Sequence, residues 1–144
     1  MVGGVDGAPR DPEYVEALGR AVYNFAYLEW AIVNIIERLE PGYVYEYLSQ
    51  KKTAGKVAYD LDKAIRRAKG HAAETALTAL HKTFVGLRNR RDKLLHANPM
   101  AAPDGAPQLR YQARDIAWDL DTVLKAATKF SEAANTAVHL YYEL

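Results

Sequence analysis

The sequence predicts an all-α domain, an up-down-up-down four-helix bundle with a Pro/Gly-rich loop before its last helix. Two observations support this fold class. Apolar residues recur at alternating spacings of three and four in four long segments, which is typical of amphipathic helices. Short links separate most of these segments, and short links favour antiparallel neighbours in a bundle. The chain has 144 residues, enough for one domain with one hydrophobic core.

The ends of the predicted helices follow from residues that cap or break a helix. Asp11-Pro12 is a good N-terminal cap with a proline at the first helical position, and Pro41-Gly42 ends the first helix. Residues 1–10 contain three glycines and a proline, and we interpret them as a flexible lead-in to a single domain over 11–144. After a short aromatic-rich turn at 43–48, the other helices are predicted from Thr53 to about Lys69, from about Ala72 to Ala97, and from about Asp115 to Tyr142.

The Pro/Gly-rich loop covers residues 98–114. It contains Pro103-Asp104-Gly105, which is a good turn sequence. We predict a plain loop, and the alternative is a small ribbon in which Leu109–Tyr111 pairs with Met100–Ala101.

Two of the predicted helices carry one charged residue within an otherwise apolar stripe. On the first helix Glu29 lies between Phe25 and Ile32, and on the third helix Arg91 follows Leu87. A buried charge is costly unless it has a partner. We therefore expect Glu29 and Arg91 to form an ion pair inside the bundle. The alternative is that the first helix is rotated so that Glu29 reaches water.

The formal charge is unevenly distributed along the chain. The total is +1, with −5 in residues 1–50, +8 in residues 51–100 and −2 in residues 101–144. A basic middle suits an anionic partner such as RNA, although acidic ends that pack on the middle would explain the pattern equally well. The second helix carries five cations that we interpret as a solvated face: Lys56, Lys63, Arg66, Arg67 and Lys69.

Several classes of site are not expected. The chain contains no cysteine, which excludes a disulfide framework, a thiolate nucleophile and a cysteine-ligated zinc. No two histidines have metal-ligand spacing with a carboxylate, so neither a metal site nor a cofactor is predicted. No apolar run approaches the length of about 20 residues that a membrane span needs, and no signal peptide is evident. We therefore expect a cytoplasmic protein without a membrane partner.

The densest cationic run of the chain, from Leu87 to His96, ends the third helix. Within it Arg91 is followed directly by Asp92 and, five positions after the arginine, by His96. This pattern resembles the R-(N/D/H)-x-x-x-H signature of the HEPN superfamily, small all-helical proteins of which many are metal-independent ribonucleases. A second pair with the same spacing, Arg66 and His71, has an arginine after the first residue and is interrupted by a helix stop.

Shorter patterns elsewhere also resemble some HEPN-like groups. They are Phe25-x-x-Leu28-Glu29 on the first helix and Thr53-x-Gly55 at the start of the second. Some groups carry an aromatic residue just beyond the histidine, and this chain has Ala97 and Asn98 there.

The motif suggests a chemistry for RNA cleavage. Histidine transfers protons near neutral pH, and the planar arginine fork binds phosphate oxygens in pairs. Asp92 lies four residues before His96, on the same helical face, where it can orient the imidazole. Simpler roles remain open: His96 can cap the helix C-terminus, and Arg91 can be a structural partner of Glu29. The predicted site therefore comprises Arg91, His96 and Asp92 for catalysis and Arg88, Lys93, Arg110 and Arg114 for phosphate binding.

The geometry of one helix favours a homodimer. Arg91 and His96 diverge by about 140° and are separated by about 7.5 Å along the axis, so one helix does not aim both at one phosphate. HEPN nucleases typically bring two motifs together across a two-fold axis, and we expect the same here. The resemblance further implies a toxin of a toxin–antitoxin or phage-defence pair, held by a nucleotidyltransferase-like antitoxin, and RNA products with 2′,3′-cyclic phosphate ends. The alternative function is a non-catalytic helical module for dimerisation or for binding RNA or protein.

Overall fold

The computed structural model of the protein describes residues 11–111 and 116–144. This part of the chain is mostly helical, as predicted, and it adds a small antiparallel sheet that the predicted all-α class lacks. The helices are α1 (Pro12–Leu39), α2 (Tyr43–Gln50), α3 (Ala54–Arg67), α4 (Glu74–Leu95) and α5 (Leu120–Glu143), and the strands are β1 (Asn98–Ala101), β2 (Pro107–Arg110) and β3 (Ala117–Trp118). Residues 1–10, for which a flexible lead-in is predicted, lie outside the described residues.

Side-chain caps fix the first residues of three helices. The Asp11 carboxylate accepts hydrogen bonds from the main-chain N–H groups at the start of α1, and Thr53 Oγ1 accepts one from Lys56 N at 3.2 Å. Both predicted caps are confirmed. The cap of α5 is Asp119, whose carboxylate accepts from Thr122 N at 2.8 Å. The last helix therefore begins later than the sequence predicts, because Ala117 and Trp118 belong to β3.

The core is built around Phe25 on α1. Its ring is stacked on Phe84 of α4 at 5.8 Å and meets Phe130 of α5 edge to face at 5.3 Å between ring centroids. Helix α1 packs against α5, α3 and α2, and α4 packs against α3 and α5. Buried alanines on α5 let α1 approach closely, since they fill little volume.

The buried face of α1 differs from the predicted stripe. Ala17 and Ala21 are buried, whereas Val22, which the apolar spacing places on the same stripe as Phe25 and Glu29, is 48% exposed. The buried face therefore includes alanines, which a hydrophobic pattern weights weakly. Glu29 consequently lies at the edge of the apolar face and is half-buried.

The segment between α4 and α5 forms a ribbon rather than the predicted plain loop, with a register that differs from the alternative pairing of Leu109–Tyr111 with Met100–Ala101. Strands β1 and β2 pair antiparallel with Met100 opposite Gln108, and β2 continues to β3 with Leu109 opposite Trp118. The turn uses Gly105 at φ +85°, a left-handed conformation that glycine adopts without strain.

Tyr14 of α1 fastens this sheet to the helices. Its hydroxyl donates to the Trp118 carbonyl at 2.6 Å and accepts from Leu109 N at 2.9 Å. The sheet is thereby held against the first turn of α1. Across the described residues, none of the helices combines the length and apolar character that crossing a bilayer needs.

Candidate functional site at the end of α4

Arg91 lies on the inner side of α4, close to the core. Its guanidinium carbon is 4.4 Å from the centroid of the Phe25 ring, and its side chain is only 22% exposed. The Nε atom is buried and lies 3.2 Å from Asp92 Oδ1, but it forms no hydrogen bond. Arg91 is thus positioned by an aromatic ring and an adjacent carboxylate.

The ion pair predicted between Glu29 and Arg91 is not formed. Glu29 Oε2 instead accepts a hydrogen bond of 2.6 Å from the hydroxyl of Tyr47 on α2. The rotation of the α1 face explains the difference, because it turns Glu29 toward α2 and leaves Phe25 opposite Arg91. Burial raises the pKa of Tyr47 to about 12, and the hydrogen bond to Glu29 and the negative charge of Glu29 add to this increase.

Asp92 contacts arginines rather than the imidazole of His96. One carboxylate oxygen lies 3.2 Å from Arg91 Nε and the other 3.8 Å from Arg88 Nη1. Within the described residues, the contact from Asp92 to His96 is a main-chain hydrogen bond, in which His96 N donates to the Asp92 carbonyl at 3.0 Å. The predicted contact, in which the Asp92 carboxylate orients the His96 imidazole, is therefore not formed.

His96 is the C-terminal cap residue of α4, and it is exposed. An exposed imidazole at this position can exchange protons with a ligand and is close to the negative end of the helix dipole. Arg91 points toward the core and His96 toward solvent, so the two motif residues occupy different environments on one helix.

Arg88 packs against the first turn of α3. A Cβ at Gly55 would lie 2.5 Å from Arg88 Nη1, the end of a flexible side chain that would have to shift. Arg88 Nη2 also donates to Asn89 Oδ1 at 3.1 Å.

Two of the other predicted phosphate-binding residues, Lys93 and Arg110, lie by the small sheet. Lys93 Nζ is 6.0 Å from the centroid of the Tyr111 ring, on the side of the small sheet. Arg110 is half-buried in β2, opposite Asn98 of β1. Arg114 lies outside the described residues. The structure thus separates Arg88, which faces α3, from Lys93 and Arg110, which lie by the strands.

Arg90 belongs to the same end of α4, although no spacing argument selects it. Its guanidinium carbon lies 4.9 Å from the centroid of the fully buried Trp118 ring. Arg90 Nε and Trp118 Nε1 are both buried without a hydrogen-bond partner. The partner ring is distant in sequence and comes from β3, which is why the sequence gives no signal for this contact.

The end of α4 has the composition of an anion-binding surface. Three guanidinium groups, those of Arg88, Arg90 and Arg91, accompany a single carboxylate, Asp92, and an exposed imidazole follows. Guanidinium groups bind phosphate oxygens through paired hydrogen bonds. Among the described residues, no group of three or more histidine, aspartate or glutamate side chains is arranged to hold a metal ion.

The chain matches no protein-family model, no curated protein and no solved structure. The residues of the site therefore carry the functional inference.

Proposed function

We propose that the protein is a HEPN-like, metal-independent endoribonuclease that acts as the toxin of a toxin–antitoxin or phage-defence pair. One observation carries the proposal. The exposed His96 directly follows a helical run with three arginines, two of which, Arg88 and Arg91, lie within 3.8 Å of the Asp92 carboxylate. This end of α4 combines a proton-transfer group with an excess of phosphate-binding groups, as cleavage of RNA by its own 2′-hydroxyl requires.

The proposed reaction divides the work between imidazole and guanidinium groups. The RNA 2′-oxygen loses its proton and attacks the adjacent phosphorus, and the bond from phosphorus to the 5′-oxygen breaks. His96 transfers one of the two protons, while Arg91 and Arg88 hold the charged phosphate oxygens. The products are a 2′,3′-cyclic phosphate and a 5′-hydroxyl, so atoms and charge balance without a further reactant.

A two-fold homodimer completes this site in the proposal. Arg91 and His96 point to different sides of one helix, so a phosphate near the axis would meet His96 of one copy and guanidinium groups of the other. We further propose that α1, α3, α4 and α5 form an up-down-up-down bundle, which the packing of α1 on α3 and α5 and of α4 on the same two helices supports. The nucleotidyltransferase-like antitoxin follows from the resemblance alone.

Cleavage of labelled RNA in the presence of EDTA tests the proposal. Wild-type protein should cleave, and His96→Ala should reduce turnover by about 10²-fold or more, the usual effect of losing a general acid or base. His139→Ala is the matched control, because His139 is an exposed histidine on α5. Equal activity of the two variants would contradict the role of His96, and abolition of cleavage by EDTA would contradict the metal-independent mechanism.

A second candidate function is a non-catalytic dimerisation or binding module. The outer face of α1 favours it, because five large apolar or aromatic side chains there are between 43% and 68% exposed: Val15, Val22, Tyr23, Tyr27 and Trp30. A contiguous apolar face of this kind is typical of interaction surfaces. Pure wild-type protein that binds a partner or itself through this face, and leaves RNA intact, would support this candidate.

A further inference from the structure

The outer surface between α3 and α4 contains an open groove next to the candidate site. Its lining includes Gly55, Tyr59, Asp62, Arg66, His81 and Arg88. Gly55 and Arg88 lie at one end, and Arg66 and His81 belong to the other. Because Arg88 is eight residues before His96, the groove ends about 12 Å from the exposed imidazole along α4.

Tyr59 is the aromatic residue of this groove. Its side chain is 56% exposed, although it lies in the middle of a helix whose other face is buried. Lys56 Nζ and Lys63 Nζ lie 4.6 and 5.4 Å from the centroid of its ring. Both ammonium groups lie over the exposed ring, and Lys56 is also paired with Asp60 at 3.3 Å. A base can stack on the ring by displacing an ammonium group, which then meets a neighbouring phosphate.

The charges of the groove favour an anionic occupant. Asp62 is matched by Arg66 at 2.8 Å, and the largely buried Asp60 is bound to both Lys52 and Lys56, at 2.7 and 3.3 Å. In the described part of the chain, no carboxylate lies within ion-pair distance of Lys63, which contacts the Tyr59 ring. Arg88 is only loosely paired, at 3.8 Å from Asp92. The surface therefore carries positive charge in excess of its own acids.

We propose that this groove binds single-stranded RNA and leads it to the end of α4. A single strand fits better than a duplex, because stacking on Tyr59 requires a base with an exposed face, and paired bases in a helix do not offer one. Lys63, Arg66 and Arg88 contact the phosphates on either side of the stacked base. The choice of RNA as substrate rests on the proposed ribonuclease function, whereas the groove, its aromatic residue and its charge do not.

Binding of a labelled 2′-O-methyl RNA of 12 nucleotides, measured by fluorescence anisotropy, tests the proposal. This probe lacks the free 2′-hydroxyl groups, so cleavage does not disturb the measurement. Tyr59→Ala should weaken binding by about 5- to 150-fold, the loss expected for one stacked base, and Tyr59→Phe should bind like wild type. Lys63→Gln should lower the salt dependence by about 0.7 in the log–log slope.

The controls separate the groove from general electrostatic attraction. Tyr23→Ala removes an exposed tyrosine from α1, outside the groove, and should bind like wild type. The same sequence annealed into a duplex should bind more weakly and be insensitive to Tyr59→Ala. Unchanged binding of the single strand to Tyr59→Ala would overturn the proposal. Displacement of the probe by poly-glutamate as effectively as by unlabelled RNA would overturn it in favour of an acidic protein partner.

The outcome is separable from that of the ribonuclease test. Weakened binding by Tyr59→Ala, in a protein that does not cleave RNA, would retain the groove and reject the nuclease. Normal binding by Tyr59→Ala, in a protein whose cleavage requires His96, would reject the groove and retain the nuclease.

Discussion

The two charged residues of the apolar stripes have different partners from the ones that their spacing suggests. Glu29 is bound by the Tyr47 hydroxyl, and Arg91 lies over the Phe25 ring. Each arrangement shields a charge at the edge of the core, and Glu29 and Arg91 form no ion pair with each other. A hydrogen bond to a charged group contributes about 1.5–3 kcal/mol, so the contact from Tyr47 to Glu29 is an important link between α2 and α1.

The pH dependence of stability reports this contact directly. The pKa of Tyr47 is raised to about 12 in the folded protein, by burial first and then by Glu29. The contribution of Tyr47 to stability is fully present below pH 10, the ordinary pKa of tyrosine, and is lost as the pH rises toward 12. Tyr47→Phe should therefore lower the unfolding free energy at pH 8 and reduce its decline between pH 9.5 and 11.5.

Urea unfolding at a series of pH values measures this effect. The matched control is Tyr23→Phe, which changes an exposed tyrosine on α1. A Tyr47→Phe protein whose stability declines with pH as steeply as that of wild type would contradict the raised pKa of Tyr47.

Among the elements, the small sheet depends most on a single side chain. Tyr14 Oη accepts from Leu109 N and donates to the Trp118 carbonyl, so one hydroxyl connects α1 to both β2 and β3. Burial raises the pKa of Tyr14, with the Leu109 N–H acting in the opposite direction and Asp119 adding to the increase. The hydroxyl remains a donor across the physiological range.

Tyr14→Phe should loosen the sheet while leaving the helices folded. The substitution keeps the ring but leaves the Leu109 N–H and the Trp118 carbonyl without this partner, at a cost of about 1–3 kcal/mol. Hydrogen exchange should show faster exchange at Leu109 N and little change in the central turns of α1 and α4. If Leu109 N exchanges at the wild-type rate, the sheet is held by other contacts.

The elements also show which features of this fold a sequence can reveal. Asp11 and Thr53 cap helices through atoms two or three residues away, so both caps can be predicted from local sequence. The sheet depends on Tyr14, which is 95 residues from Leu109, and no local pattern reports that contact. The phase of α1 depends on the burial of Ala17 and Ala21, which hydrophobic periodicity does not resolve.

The position of the candidate site can also be predicted from local sequence, but the contacts of its side chains cannot. His96 is an exposed residue at a helix end, as Asn98-Pro99 indicates, and its position follows from local signals. The partners of Arg91 and Asp92 do not follow, because they depend on the rotation of α1 and on side-chain geometry within α4. Tyr59 carries a recognisable signal, a tyrosine with lysines three residues before and four after it, although the solvated face predicted from the sequence includes the two lysines and not the tyrosine.

At the scale of the whole molecule, two surfaces compete as the interface of a homodimer. The proposed catalytic dimer has the end of α4 near its two-fold axis, where Leu95 is 50% exposed beside His96. The outer face of α1 offers Val22, which is 48% exposed. A charge placed in a buried interface opposes association, because it loses its hydration without gaining a partner.

Sedimentation at tens of micromolar therefore distinguishes the two interfaces. The catalytic dimer predicts that wild type and Val22→Glu sediment as dimers and that Leu95→Glu sediments as a monomer. A wild-type monomer would remove the composite site and most of the support for a nuclease. A dimer that dissociates on Val22→Glu and persists on Leu95→Glu would place the interface on α1.

The chemical nature of the RNA ends tests the central claim most directly. Attack by the RNA's own 2′-hydroxyl, with His96 transferring a proton, leaves a 2′,3′-cyclic phosphate on one fragment and a 5′-hydroxyl on the other. We predict these ends in the products of the wild-type protein in EDTA, and we predict their formation to fall by about 10²-fold or more in His96→Ala. Products with a 3′-hydroxyl and a 5′-phosphate would show attack by an activated water and would contradict the roles proposed for Arg91 and His96.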